Sequence, residues 1–166
     1  MSTYRLQSFR SRCHLDITEE TYNEIRDAKA AVLEAIALEE SFSMVLAGYY
    51  EYEVESPASA AFFMVYGPGD WEWQQEQRLL AARRLMNLLT ACRHYLDQLP
   101  SRLDSIYGAE STQRAGAKAT SSKLYDENVG YRIMEAIRNY AQHRGFPVHL
   151  MRYSTHRVPP EPGGEL

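Results

Sequence analysis

The chain has 166 residues, 45% of them hydrophobic and 24% charged, with a net charge of −4 at pH 7. Such values belong to a single globular domain large enough to bury its own core without disulfides or a structural metal. A mean hydropathy of −0.47 argues against a membrane protein, and the longest apolar run, "AAVLEAIAL", is broken by Glu34 and too short to span a bilayer.

The elements follow in chain order. Residues 1 to 17 read as an extended N-terminal arm, with 4 to 15 as a short strand or arm; Arg5, Arg10 and Arg12 stand there without the apolar stretch of a secretory signal. A cytoplasmic location is the expectation. Cys13 and Cys92 lie in no CxxC pair and read as reduced thiols. Thr18, followed by Glu19 and Glu20, is an N-cap for a helix over about 19 to 55. Its apolar stripe is expected at Ile25, Ala28, Val32, Ala35, Phe42, Leu46 and Tyr49. Ser56-Pro57 should end it. Glu39 sits in that stripe, and burial would call for a partner in Arg83, Arg84 or Arg93.

"GPGD" at 67 to 70 marks a break, with Asp70 placed to cap the next helix. Over Trp71 to Tyr107 the residues Leu85, Leu89, Cys92, Leu96, Leu99, Leu103 and Ile106 recur at alternating steps of four and three. That rhythm keeps one seam facing a partner, and Cys92 within it is a small core residue. Pro100 should kink or interrupt the helix, since proline lacks the backbone donor and clashes with the preceding turn.

Residues 109 to 122 are small and polar, a loop or a weak helix, and a helix resumes near Ser121 or Ser122 and runs to Arg144. Gly145 is its stop, with Pro147 beyond. Its apolar side is expected at Val129, Ile133, Ile137 and Tyr140. Residues 151 to 166 form a tail of low apolar content, expected to be mostly disordered. The fold expected is all-α, an antiparallel up-and-down bundle of four to five helices over residues 18 to 150. Residues 4 to 15 and 147 to 158 are candidates for a small ribbon joining the two chain ends.

Charge is unevenly distributed. Residues 1 to 110 hold 10 basic and 17 acidic side chains, whereas 111 to 157 hold 8 basic and 3 acidic, together with His143, His149 and His156. A polyanion would be drawn to the later part. There "IRNYAQHRGFP" places Arg138, Asn139 and His143 at the end of a helix. Asn139 and His143 are four apart and share a face with Asn128, Arg132 and Glu135. Arg138 is five positions from His143, roughly 140° around the helix. The two converge only if the helix unwinds or if a second copy supplies the other half.

"RNYAQH" resembles the R-x(4 to 6)-H motif of the HEPN superfamily (higher eukaryotes and prokaryotes nucleotide-binding), all-α bundles that carry this motif, with a polar residue after the arginine, at the end of a late helix. Many members are similar to one another in being metal-independent ribonucleases that act as dimers and occur in toxin modules and antiviral effectors. The resemblance implies His143 as general acid/base, Arg138 as the group holding the scissile phosphate, and Asn139 as an orienting or polarising group. It implies no cofactor, a homodimer, RNA as the substrate, and a partner such as an antitoxin. Cleavage by the 2′-OH needs a proton carrier near neutral pH and a cation for the pentacoordinate phosphate, which imidazole and guanidinium supply. Arg132, Arg144 and Tyr140 are the candidate RNA contacts, with Tyr131, Phe146 and Tyr153 as further stacking aromatics.

The bland alternative is a non-catalytic HEPN-like module for protein or nucleotide binding, with His143 and Arg144 as cations that suit a helix C-terminus and Arg138 pairing with Glu135 on the surface. A di-iron bundle would need Glu-x-x-His pairs, which are missing, and the histidines at 143, 149 and 156 are too widely spaced for the usual metal motifs. No phosphate-binding G-x-x-x-x-G-K-[ST] run is present either.

Overall fold

The computed structural model of the chain describes residues 4–8 and 13–154. Two strands, β1 (Tyr4–Gln7) and β2 (His14–Ile17), precede four helices: α1 (Glu19–Tyr66), α2 (Trp71–Tyr107), α3 (Thr112–Glu127) and α4 (Val129–His143). The fold is all-α, a helical bundle with a small ribbon. The ribbon differs from the expected one. β1 pairs antiparallel with β2, Tyr4 opposite Ile17 and Gln7 opposite His14, so it is an N-terminal hairpin and does not join the two chain ends. Closing a short local loop costs less chain entropy than bringing distant segments together. Residues 147–154 form no strand, and residues 155–158 lie outside the described residues, as does the remainder of the expected tail.

Packing divides the chain into two units, Met1–Met44 with Arg93–Val129, and Val45–Cys92 with Gly130–Leu166. In the first unit α1 starts as its sequence requires: the Thr18 hydroxyl accepts the Thr21 N–H at 3.1 Å, satisfying one of the free donors of the first turn. Tyr4 of the hairpin stacks on Tyr22, ring centroids 4.5 Å apart. Two contacts set α1 against α2 in antiparallel sense. Arg102 Nη1 donates to Glu34 Oε2 at 2.6 Å, and Phe42 lies 5.5 Å from Tyr95, ring to ring. Among the described residues of this unit Leu103 is the buried apolar side chain. Gly108, at φ 91°, closes α2 by donating its N–H to Asp104. Ser111 then caps α3 by accepting the Arg114 N–H, and Arg114 Nε reaches back to Asp104 at 2.9 Å. This cap and ion pair start the helix at Thr112, so the small polar stretch takes the helical of its two expected forms. Asn128, in extended conformation (φ −107°, ψ 104°), separates α3 from α4 where the sequence suggests one continuous helix.

In the second unit the core is Ala82, Leu88 and Leu89 of α2. Gly48 of α1 comes against Leu88, Arg84 pairs with Glu55 at 3.2 Å, and the Ser59 hydroxyl donates to Gln77 at 2.9 Å. Again α1 and α2 are antiparallel. α1 passes through Pro57 and ends about ten residues later than expected. Continuation keeps Phe62 stacked on Trp73 and Phe63 on Tyr153, which offsets the lost hydrogen bond at the proline. Gly67, at φ 84°, is the actual stop, its N–H donating to Phe63. Asp70 caps α2 as expected, accepting the Trp73 N–H at 2.8 Å. α2 likewise continues through Pro100.

The seam of α2 is where its leucines put it: Leu89 and Leu103 are buried and the other five positions half-buried. The stripe of α1 is not. Ile25, Val32, Phe42, Leu46 and Tyr49 are each more than 40% exposed. Half-buried positions include Ala31, Glu34, Ala35, Leu38 and Ser41 in the first unit, of which Ala35 belongs to the expected stripe, and Val45, Gly48, Tyr52, Glu55 and Ser59 in the second. Small side chains let two helix backbones approach, so the close face is the one with Ala, Ser and Gly. Glu39 turns outward with the large residues. Two of the three arginines expected for it pair elsewhere, Arg84 with Glu55 and Arg93 with Asp97, and in the first unit it is Glu34 that reaches an arginine of α2, Arg102.

Candidate functional site

α4 carries the motif and is rotated from the expected face. Tyr131, Met134, Glu135, Ile137, Arg138 and Ala141 form its half-buried side, while Val129, Ile133 and Tyr140 are exposed. Arg138 therefore points toward the protein. Its Nη1 donates to Asn139 Oδ1 at 3.3 Å, and its Nε is buried with no acceptor among the described residues. An unsatisfied guanidinium N–H is costly in a low-dielectric setting.

Asn139, His143 and Arg132 lie on the exposed side, as their spacing predicts. His143 occupies the last turn of α4, where a cation is favoured by the free carbonyls. The helix does not unwind before it. Arg144 and Gly145 both donate their N–H groups to the Tyr140 carbonyl, at 2.8 and 3.3 Å, and the helix closes immediately after His143. Within one chain Arg138 and His143 thus stay roughly 140° apart around the axis. The second Arg-to-His match, Arg144 to His149, lies beyond the helix, with Gly145 at φ 150° between them.

Tyr140, expected on the apolar packed side, stands exposed and reaches the segment after α4. Its hydroxyl lies 3.0 Å from His149 Nε2 and the rings meet edge to face at 5.7 Å, which ties the chain after α4 back to the helix. Arg78 of α2 reinforces that tie by donating to the Val148 carbonyl at 3.0 Å. The returning segment closes a cleft of about 390 Å³, lined among others by Phe63, Trp71, Arg78, His149, Arg152 and Tyr153. Burial pushes the Tyr153 phenol up, with Ser59 opposing it. Residues 151 to 154 stand in the segment read as tail, yet Tyr153 stacks on Phe63 with ring centroids 4.8 Å apart. Arg78, Phe63 and Trp71 carry no motif, and only the chain reversal at Gly145 and Pro147 brings them beside the basic segment.

Arg144 and Arg152 are exposed next to these groups, so the end of α4 and the segment after it present cations and imidazoles together. Such a surface suits an anion, and its aromatic neighbours suit a planar one. Among the described residues, no three His, Cys, Asp or Glu side chains gather as a metal site. No described helix is long and apolar enough to cross a membrane. Comparison with protein-family models, with curated proteins and with solved structures finds no match to this chain.

Proposed function

We propose that this chain is an HEPN-like cytoplasmic protein that engages single-stranded RNA or tRNA through the end of α4 and cleaves it without a metal when two copies combine. The observation that carries the reading is the placement of His143: exposed in the last turn of an intact helix, on one face with Asn139 and Arg132, and flanked by Arg144. An imidazole there can take the 2′-OH proton or protonate the leaving 5′-oxygen. Arg138 is the phosphate ligand implied by the motif. Because it points away from His143 in the same chain, the two act together only as Arg138 of one copy with His143 of another.

The half-burial of Arg138 and its bond to Asn139 favour a second reading, an HEPN-like binding module with no catalysis. Incubation of purified protein with mixed RNA and tRNA in EDTA separates the two, with Arg138→Ala and His143→Ala alongside. Products with 2′,3′-cyclic phosphate ends, lost in both variants and restored when the two variants are mixed, are the expected result. Equal inertness of folded wild type and variants would leave the binding module.

A further inference from the structure

α1 has no buried residue anywhere in its 48-residue length. Within the first unit its back, opposite the seam at Ala31, Glu34, Leu38 and Ser41, is apolar: Ile25, Val32, Leu33 and Ile36 are 43, 57, 55 and 49% exposed. Ile25, Val32 and Ile36 follow one another at steps of seven and four, so they share one side of the helix, with Lys29 and Glu39 beside them. Soluble monomers rarely leave such a contiguous stripe open.

The charges on this face are segregated. Arg26 and Lys29 stand at its start, Glu39 and Glu40 at its end. Arg26 already binds Asp27 through Nε and Nη2, which leaves Nη1 to reach outward. Lys29, Glu39 and Glu40 are exposed. A helix of the same sequence laid antiparallel brings basic start against acidic end at both ends of the contact. Laid parallel, it opposes like to like. An anionic lipid or nucleic-acid surface is a poor occupant, since the two acids cancel the two bases.

We infer that α1 pairs with α1 of a second copy, antiparallel about a two-fold axis beside Leu33, with Arg26 of each copy facing Glu40 of the other. Such an isologous contact is self-complementary and closed. It is a second contact between copies, distinct from the one that would set Arg138 of one copy beside His143 of another, and it uses none of those residues.

Bis-maleimide cross-linking of the full chain, with both native cysteines replaced by alanine, tests register and direction together. Arg26→Cys protein and Glu40→Cys protein should each remain uncoupled alone and couple when mixed, and Leu33→Cys should couple to itself. Coupling of Arg26→Cys to itself would overturn the antiparallel arrangement. Sedimentation of the unmodified chain should show a dimer that Val32→Glu with Ile36→Glu dissociates at least tenfold more readily, with circular dichroism reporting the helix retained in each variant. A monomeric wild type at tens of micromolar would overturn the proposal outright.

Discussion

At Gly48 the backbone of α1 lies so close to α2 that a Cβ there would come within 3.3 Å of the Leu88 Cα. Leu88 is 7% exposed and stands next to the buried Leu89, so its backbone has little room to yield. The absence of a side chain is what allows the approach.

Gly48→Ala is therefore expected to destabilise the protein by about 1 kcal/mol even though alanine is the better helix former by about as much. Gly116 is the control. It lies inside α3, and a Cβ added there would meet nothing within 4 Å, so Gly116→Ala should stabilise by about 0.5–1 kcal/mol. Urea unfolding of both variants checks the contrast. Equal signs would show that helix propensity alone governs both positions.

The Glu34–Arg102 bond joins α1 to α2 between side chains that are 38% and 25% exposed. Loss of either partner should cost about 1–2 kcal/mol, because a charge-assisted hydrogen bond is lost and a half-buried charge is left without its partner. Arg102→Ala, Glu34→Ala and the double variant should show a coupling of about 1 kcal/mol in thermal unfolding. Additive losses would mean that the bond contributes nothing beyond packing.

Cys92 and Cys13 should differ in reactivity. Burial pushes the Cys92 thiol up, because removal from water disfavours the thiolate, and Glu135 adds to the effect. Cys13 is exposed. At pH 8 iodoacetamide should modify Cys13 at least tenfold faster than Cys92, and raising the pH toward 10 should narrow the gap, since it forms the hindered thiolate. Parallel rates read by mass spectrometry at both pH values would contradict the half-buried placement of Cys92.

Much of the architecture is local chemistry and can be read along the chain. Thr18 and Asp70 cap helices because an oxygen three residues before a free N–H can reach it whatever surrounds them. The break at 67 to 70 is legible in the same way, because glycine takes a positive φ cheaply. The leucine seam of α2 is equally legible, since seven apolar side chains at one spacing leave a single face to bury.

The sequence by itself determined an all-α fold, the caps at Thr18 and Asp70, the breaks at 67 to 70 and at Gly145, and the face of α2 that packs. Tertiary structure decided which face of α1 and α4 turns inward, because that depends on how near a neighbouring backbone can come. Gly48, Ala31 and Ser41 permit the approach that Ile25 and Val32 would prevent. It also decided whether Pro57 ends α1, since the stacking of Phe63 on Tyr153 comes from a segment 90 residues away. The same choice of face separates Arg138 from His143 along α4, a separation that residue spacing could state as an angle and that only packing could turn into one group facing the protein and the other facing outward.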